Sequence, residues 1–349
     1  MEKQDIFAYL PEALLPWYEQ NRRDLPWRKD KNPYHIWISE IMLQQTRVEA
    51  VKGYYTRFLQ ALPDVASLAN ADDEQLHKLW EGLGYYSRVR NLKKAAIKVM
   101  EDHDGMFPKT HGEVSALPGI GPYTSGAICS IAYDLPTPAV DGNVLRVISR
   151  LTDDPTPIED TAFKKTVTAS LAAVYPARAG DFTQALMELG ATICGPNKKP
   201  DCEHCPCKHV CLGYQRGSAE ALPVKKAKAK RRIEEKTVFI LSCDGAYALR
   251  KRPDTGLLAG LWEFPNTATK LSIPDAIAWV EEKEGKVKDI IRQVEKKHIF
   301  THIEWHMSGI YMELSQKCPD DIWLTAEQIE AETALPTAFR QFWEETYHV

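Results

Sequence analysis

Five of the eight cysteines in this 349-residue chain fall in one short segment, CGPNKKPDCEHCPCKHVC. Four have the spacing of ligands for one inorganic centre, and Cys207 lies in their last gap: Cys194, Cys202, Cys205 and Cys211. Four thiolates can hold zinc or an iron–sulfur cluster, because both are soft centres that accept sulfur ligands. Zinc modules usually pair two C-x2-C halves. Only Cys202 and Cys205 form such a half here, so the spacing favours an iron–sulfur cluster in a loop over residues 194–211.

A glycine motif, LPGIGPYT at Leu117–Thr124, comes directly before a helical pattern. Gly119 and Gly121 permit a tight hairpin whose backbone N–H groups point outward. The N-terminus of the following helix adds partial positive charge. Such a loop can bind a phosphate without a charged side chain, and this motif is more specific than a lone G-x-G.

Asp141 follows the glycine motif in the segment PAVDGNVLR, where it opens another helix after a proline. An aspartate at this position is well suited to cap the helix N-terminus. Its association with the hairpin and the cysteines favours a catalytic carboxylate over a cap alone.

Glu40 is the one acid in a strongly apolar segment, IWISEIMLQQTR. We predict that one helix face carries Glu40, Leu43, Gln44 and Arg47, so that the acid and two polar groups project together, into a cleft. A carboxyl held against Trp27 or Trp37 would have a raised pKa, which a general acid near neutral pH requires. The alternative is an exposed glutamate near the start of a helix.

The elements that must position these motifs are helical over much of the chain. Apolar residues recur at intervals of three and four from Ile6 to about Leu212. We therefore predict an all-α domain of short helices over residues 1–222. Its predicted helices cover Gln4–Glu19, Pro33–Gln45, Val48–Phe58, Leu92–Asp102, Gly121–Ala132, Asp141–Arg150, Thr161–Val174 and Phe182–Ile193.

A basic run, KKAKAKRR, separates this domain from a segment with a different periodicity. Apolar and polar residues then alternate, as they do in half-buried strands. We predict a basic linker over residues 223–234 and an α+β domain over residues 235–349. Its predicted strands cover Thr237–Cys243, Tyr247–Lys251 and Ile299–Leu314, and its predicted helices cover Ile273–Glu284 and Thr337–Tyr347.

The length of the chain supports two domains, and its apolar stretches are too short for a membrane span. The chain is longer than one core usually organises. No stretch approaches the roughly 18–20 apolar residues of a membrane helix, and the N-terminus lacks a signal-peptide core. We expect a cytoplasmic protein with reduced thiols. A net charge of -4 gives no general argument for a polyanionic partner, and the basic run is more consistent with a solvated linker than with a phosphate contact.

Together, these segments resemble the helix-hairpin-helix DNA glycosylases that carry a [4Fe-4S] cluster, and most closely the adenine-specific, MutY-type branch. The resemblance covers roughly residues 5–215, and the two-domain layout extends it to most of the chain. It rests on LPWR at Leu25–Arg28, SEIMLQQTRV at Ser39–Val48, GLGYYSRVRNL at Gly82–Leu92, LPGIGPYTSGAI and AVDGNVLRV.

The resemblance implies a monofunctional enzyme that hydrolyses the N-glycosidic bond of adenine mispaired with 8-oxoguanine or guanine. Glu40 would protonate the adenine ring, and Asp141 would stabilise an oxocarbenium-like sugar. Tyr123 and Asn143 would orient this aspartate and shield the cation. The adenine must leave the base stack, which implies residues that line a pocket, pry the duplex open or hold its backbone. These residues are Trp27, Arg28, Gln44, Gln45, Thr46, Arg47, Tyr85, Gly119 and Gly121.

The second domain resembles the MutT-like (Nudix) module of the same family, which recognises the oxidised guanine. GLWEFP at Gly260–Pro265 is similar to a turn of that fold. The acid-rich, Mg²⁺-binding helix is missing, since DAIAWVEEKE at Asp275–Glu284 lacks the R-E-x-x-E-E order. The resemblance therefore implies base reading without chemistry, by Phe300, Thr301 and His302. Relatives commonly have serine where Thr301 stands.

The resemblance also implies a partner, a cofactor and a location. We expect a monomer, associated with the nucleoid, that binds double-stranded DNA containing an A:8-oxoguanine mispair and carries a [4Fe-4S] cluster. The first cysteine gap is one residue longer than is usual, so the choice between Cys194 and Cys207 as the fourth ligand stays open.

Two alternative functions also stay open. One is an endonuclease III-like bifunctional glycosylase and lyase, although Tyr123 stands where such enzymes have a lysine nucleophile. The other is a non-catalytic, metal-stabilised DNA-binding protein, in which Glu40 and Asp141 would be incidental.

Overall fold

The computed structural model describes residues 3–196, 199–226 and 230–348, which form two compact units. The first unit comprises residues 1–70 and 90–227, and the second comprises residues 71–89 and 228–349. A short segment from the region predicted as helical domain therefore belongs to the second unit. Lys228 of the basic run lies outside the described residues. Within the described part of the chain, no helix is long and apolar enough to cross a membrane.

The structure confirms that the chain is helical up to Gln215. In this part of the chain, the described helices that the sequence did not predict, α4, α5, α7 and α12, have at most eight residues, too few to show a helical period. The helices are α1 (Lys3–Asn21), α2 (Pro33–Leu43), α3 (Val48–Ala61), α4 (Val65–Asn70), α5 (Asp73–Trp80), α6 (Ser87–Asp102), α7 (His111–Ser115), α8 (Pro122–Tyr133), α9 (Gly142–Leu151), α10 (Thr161–Ala172), α11 (Ala179–Thr192) and α12 (Leu212–Gln215).

Helix α2 ends at Leu43, two residues before its predicted end. Gln44 has an extended ψ of 113°, and Gln45 has a φ of 60° in the left-handed region, so the helix cannot continue. Arg47 then stands at the N-cap of α3. The prediction that Glu40 and Arg47 share a helix face is wrong, because the chain turns between them.

The core of the first unit forms around α1, α9, α10 and α11. Ile6, Leu10 and Leu14 recur every four residues on α1 and are fully buried. Burying each such side chain contributes about 1.5–3 kcal/mol. Cys207 and Cys211 are buried in the same cluster, so the cysteine segment is packed onto this core.

Helix α8 and the segment before α9 come unusually close at Gly126. A Cβ on Gly126 would lie 2.2 Å from the carbonyl oxygen of Pro138. Only glycine permits this approach. Because Asp141 follows Pro138 by three residues, the contact determines where that carboxylate lies relative to α8.

The second unit is a mixed sheet with helices on both faces. The strand order is β3-β2-β1-β6-β5, with β4 paired to β1 and β7 to β2. β1 and β6 are parallel, whereas the other pairs are antiparallel. Its elements are β1 (Arg232–Cys243), β2 (Ala246–Lys251), β3 (Trp262–Glu263), β4 (Asn266–Thr267), α13 (Ile273–Glu281), β5 (Lys286–Ile299), β6 (Ile303–Gln316), β7 (Ile322–Thr325), α14 (Ala326–Glu332) and α15 (Thr337–Trp343).

Two strand boundaries differ from the predictions. β1 begins at Arg232, inside the predicted linker, where it pairs with β6. The predicted strand over 299–314 is divided, since Ile299 ends β5 and residues 300–302 form the turn into β6. β5 was missed because apolar Ile291 and Ile299 are exposed while charged Arg292 and Lys296 are half-buried, which hides the period-two signal.

We predict that Gly126→Ala destabilises the protein by about 1–3 kcal/mol, because the added methyl group must displace the backbone at Pro138. Gly112→Ala is the matched control, since a Cβ on Gly112 meets nothing within 4 Å. That control should be neutral or slightly stabilising. Thermal unfolding of both variants measures the difference, and equal melting temperatures would contradict the close approach.

Candidate active site

A cleft of about 760 Å³ lies in the first unit, between α2, α8 and the start of α9. Its volume suits a ligand of nucleoside size. The four predicted catalytic residues all line it: Glu40, Tyr123, Asp141 and Asn143. The predicted binding residues that line it are Trp27, Arg28, Gln44, Gln45, Thr46, Gly119 and Gly121. Arg47 is not one of the described residues that line the cleft.

Glu40 is buried at the wall of this cleft. Its side chain belongs to α2, and the hydroxyl of Tyr123, in the first turn of α8, donates a hydrogen bond to its Oε2 at 2.9 Å. Burial raises the pKa of Glu40 to about 7, and the nearby charge of Asp141 adds to the rise, whereas the Tyr123 hydroxyl and Arg28 oppose it. Glu40 can therefore be protonated at neutral pH and donate that proton. The alternative of an exposed glutamate does not hold.

Asp141 is at once a helix cap and a cleft residue. Its Oδ1 accepts hydrogen bonds from the backbone N–H groups of Asn143 at 2.9 Å and Val144 at 2.8 Å. Its Oδ2 accepts a third from Nδ2 of Asn143 at 2.6 Å. The two interpretations made from the sequence are compatible, because the bonds that cap α9 also fix the orientation of the carboxylate in the cleft.

The support for Asn143 comes from Arg146, one turn further along α9. Nη1 of Arg146 donates to Oδ1 of Asn143 at 2.9 Å, and Nε donates to the carbonyl oxygen of Cys194 at 2.9 Å. Nη2 donates to the carbonyl oxygen of Gly190 at 2.9 Å. A continuous set of hydrogen bonds therefore links Asp141 to the first cysteine of the cysteine segment.

Glu188 was not predicted from the sequence. It is fully buried and forms ion pairs with two arginines that line the cleft, Arg28 at 2.7 Å and Arg23. These arginines hold the pKa of Glu188 below its ordinary value although burial alone would raise it. The signal that identified Glu40, a lone acid in an apolar helix, is also present in ALMELGAT.

The glycine motif forms the predicted hairpin before α8. Gly119 has a φ of +76°, and a Cβ there would lie 2.6 Å from Cβ of Asn91. Gly121 is the N-cap of α8 with an ordinary φ of -92°. Nε2 of Gln44 lies 3.3 Å from the hydroxyl oxygen of Thr124, so the α2–α3 turn is bonded to this helix start.

The cysteines separate into one group of four and one outlier. Cys194, Cys202, Cys205 and Cys211 line one small cavity, with apolar residues around them. Cys207 is fully buried in the core and does not line that cavity among the described residues.

The four cavity cysteines supply the donor set that an iron–sulfur cluster requires, four sulfur atoms in one place. Nη1 of Arg150 lies 3.3 Å from Sγ of Cys194, and the backbone N–H of Tyr214 lies 3.4 Å from Sγ of Cys211. Such donors stabilise thiolate ligands, so the donor set fits a cluster.

The remaining predicted residues lie in the second unit. Phe300, Thr301 and His302 form the turn between β5 and β6. Tyr85 lies in the loop after α5, and its hydroxyl is 3.1 Å from Oγ1 of Thr301. The second unit therefore brings together Tyr85 and Thr301, two predicted binding residues that are far apart in the sequence.

Two family profiles match the chain. The HhH-GPD superfamily of base excision DNA repair proteins matches residues 38–170, and the NUDIX domain matches residues 237–345. The chain is 38% identical over 407 residues to the adenine DNA glycosylase of Mus musculus, covering 97% of this chain and 78% of the mouse protein. It is 34% identical over 306 residues to that of Buchnera aphidicola subsp. Baizongia pistaciae, covering 86% and 85%. The chain belongs to the adenine DNA glycosylase family.

The helical part of the chain also resembles a solved structure of another DNA glycosylase. A thermostable thymine-DNA glycosylase superposes with a TM-score of 0.53 at 28% identity, covering 61% of this chain and 97% of that chain. As an adenine DNA glycosylase, the protein is a DNA repair enzyme of the MutY type, with DNA as its partner. HhH-GPD glycosylases of this type carry an iron–sulfur cluster, for which this glycosylase has a suitable group of cysteines.

Glu40 and Glu188, two buried carboxyls of this glycosylase, should affect stability in opposite directions. Glu40 has a folded pKa above its unfolded value, so it costs stability as pH rises from about 4.5 to 7. We therefore predict that Glu40→Gln is more stable than wild type at pH 8, by about 1–3 kcal/mol, and that this gain shrinks toward pH 5.

Glu188→Gln is the matched comparison, since its carboxylate has a lowered pKa and contributes stability above about pH 4.5. Removing that charge leaves two arginines poorly paired, which should cost about 3–5 kcal/mol at pH 8. Chemical unfolding at pH 5 and pH 8 measures both variants. A Glu40→Gln effect that does not depend on pH would contradict the raised pKa.

Proposed function

We propose that this glycosylase hydrolyses the N-glycosidic bond of adenine mispaired with 8-oxoguanine or guanine in double-stranded DNA. It releases the base and leaves the abasic strand uncut. One observation carries the proposal: Glu40, with a pKa near 7, shares a cleft with Asp141, which three hydrogen bonds orient. Glycoside hydrolysis needs two such carboxyls with different roles.

Glu40 is the general acid in this proposal. Its carboxyl proton passes to a ring nitrogen of adenine as the base takes the electron pair of the breaking N–C1′ bond. Protonation makes the base a better leaving group. The Tyr123 hydroxyl holds the Glu40 carboxyl in place through its 2.9 Å hydrogen bond.

Asp141 stabilises the positive charge that then develops on the sugar. It does so electrostatically or through a transient bond to C1′, before water completes the hydrolysis. Asn143 orients the carboxylate and is itself held by Arg146. Tyr123, which lines the same cleft and is bonded to Glu40, shields the cation.

The adenine reaches these groups only after extrusion from the duplex, which costs a few kcal/mol. Trp27 and Arg28 form walls for the extruded base, and Glu188 fixes Arg28. Gln45 and Tyr85 would fill or pry apart the duplex. Both have a left-handed backbone, with φ of 60° and 48°, which is costly for such side chains and concentrates at functional sites.

The backbone of the DNA contacts the surface around the cleft. The hairpin at Gly119 and Gly121 presents N–H groups at a helix N-terminus, which suits a phosphate. The turn between α2 and α3 contacts the DNA strand that carries the target adenine, through Gln44, Thr46 and Arg47.

The second unit recognises the base opposite adenine without catalysis. Phe300, Thr301 and His302 offer a ring, a hydroxyl and an imidazole in one turn. α13 holds Asp275 and Glu281 but lacks the ordered acids of a pyrophosphatase helix. Thr301 retains the hydroxyl of the usual serine, so it can still hydrogen-bond the lesion.

A [4Fe-4S] cluster would be held by Cys194, Cys202, Cys205 and Cys211. When bound, it supplies a rigid cross-link for the segment that follows α11. The carbonyl of Cys194 accepts from Arg146, so a fixed Cys194 also fixes the support of Asp141. No proton transfer in the reaction requires the cluster.

We predict that the wild-type protein converts a duplex with adenine opposite 8-oxoguanine into an abasic strand that alkali cleaves. The single-turnover rate should fall as pH rises through about 7, because Glu40 must be protonated. Glu40→Gln and Asp141→Asn should each lose at least about 100-fold in rate.

Untreated product must remain uncut, because Tyr123 supplies no amine for a Schiff base. Strand cleavage without alkali, or borohydride trapping on the DNA, would overturn the monofunctional assignment. Full adenine release by both variants would overturn the catalytic roles.

Iron content tests the ligand set. Cys194→Ser should lose most of the bound iron and its visible absorbance, because Cys194 lines the cavity with the other three cysteines. Cys207→Ala is the control within the same segment and should keep full iron content, since Cys207 is not among the described residues that line the cavity. Iron loss in the Cys207 variant alone would reassign the fourth ligand.

A further inference from the structure

The N-terminal end of α5 is bonded to the Nudix-like part of the second unit through Glu74. Oε2 of Glu74 accepts a hydrogen bond from Nε1 of Trp262 at 3.0 Å, and Oε1 forms an ion pair with Lys251. Lys251 and Trp262 are direct partners across the β2–β3 pair. One carboxylate of α5 therefore holds both members of a cross-strand pair.

The C-terminal end of α5 is bonded to the segment that joins α14 to α15. Nζ of Lys78 donates to the carbonyl oxygen of Thr333 at 3.0 Å. Oε1 of Glu81 accepts from the backbone N–H of Leu335 at 3.1 Å. Both ends of this two-turn helix are thus fixed to the sheet domain.

The segment that contacts α5 near its N-terminal end is GLWEFP, Gly260–Pro265. Trp262 lies in this turn, and a Cβ on Gly260 would be only 3.6 Å from Cε1 of the buried His77. The turn that resembles a Nudix signature therefore contacts α5.

The loop after α5 is held in one conformation and ends at the lesion-reading turn. Nη2 of Arg88 donates to the carbonyl oxygens of Leu83 at 2.8 Å and Gly84 at 2.9 Å, and Nε1 of Trp80 donates to Gly84 at 3.1 Å. Tyr85 follows with its costly φ of 48° and lies 3.1 Å, hydroxyl to hydroxyl, from Thr301.

We propose that Glu74 is a positioning residue for recognition of the base opposite adenine. Its bonds to Trp262 and Lys251 fix α5, and α5 fixes the loop that places Tyr85 beside Thr301. Glu74 touches neither base itself. The inference rests on the proposed function, in which Thr301 and Tyr85 lie at the oxidised guanine.

The test is the ratio of single-turnover rates for adenine opposite 8-oxoguanine and opposite guanine, in the full-length protein. Glu74→Ala should lower this ratio on the order of tenfold, as expected for loss of one hydrogen bond to a charged group. Most of the loss should fall on the 8-oxoguanine substrate, which depends on the Tyr85–Thr301 arrangement.

Graded variants separate the contact from a general loss of stability. Glu74→Gln keeps an acceptor for Trp262 but loses the charge, so it should lower the ratio less. Trp262→Phe should also lower the ratio, and the Glu74→Ala/Trp262→Phe double variant should be no worse than Glu74→Ala alone. Glu313→Gln is the matched control, because it breaks an ion pair with Lys288 elsewhere in the same unit.

Each outcome is decisive. A ratio unchanged in Glu74→Ala, or equal rate losses on both substrates, would overturn the positioning role while leaving the proposed function standing. If wild type showed no preference for 8-oxoguanine, the proposed lesion reading would fail and this inference with it. Should Glu74→Ala not fold, the ratio for Glu74→Gln against Glu313→Gln gives the same decision.

Discussion

Helix α9 is the element on which the chemistry of the first unit depends. Its N-cap, Asp141, is the proposed cation stabiliser, and Arg146 and Arg150 on the same helix reach the carbonyl of Cys194. Both arginines are buried and donate to several carbonyl oxygens, those of Gly190 and Cys194 for Arg146 and those of Leu222 and Cys194 for Arg150. Displacing the cysteine segment would leave buried guanidinium donors unpaired, which is costly. The carboxylate of Asp141 and the cysteine segment are therefore parts of one hydrogen-bonded structure.

Two buried carboxyls, Glu40 in the cleft and Glu188 behind its arginines, have different surroundings. Among the described residues no cation is bonded directly to Glu40, and burial raises its pKa to about 7, whereas two arginines stabilise Glu188 as an anion. Arg28 lowers the pKa of both, but it contacts Glu188 directly. Because the guanidinium of Arg28 bonds directly to Glu188, Glu188 stays an anion that anchors the cleft wall. Glu40 can instead be protonated and donate that proton. The raised pKa of Glu40 is a cost to folding that function explains.

The parts of the fold and site that sequence could predict are those with a local cause. Long helices were found because their apolar residues recur, and Glu40 and Asp141 were found because an acid in an apolar helix and an acid at a helix start are both local patterns. Glu188 carried the same signal but had no neighbouring motif to draw attention to it. The turn at Gln44 and Gln45 was missed because nothing in QQT marks a helix end. The strand β5 was missed because Ile291 and Ile299 are exposed while Arg292 and Lys296 are half-buried, so its residues show no clear period of two.

The boundary of the second unit could not be predicted from the sequence pattern. Residues 71–89 lie between predicted helices of the all-α domain, so their position in the sequence assigns them to that domain. They belong to the sheet unit because of side-chain bonds that have no periodic signature, from Glu74, Lys78 and Glu81 to partners more than 170 positions away. A helix of two turns is too short to be stable alone, so these contacts determine where it lies. The same contacts explain how Tyr85, from a helical motif, meets Thr301 of a sheet turn.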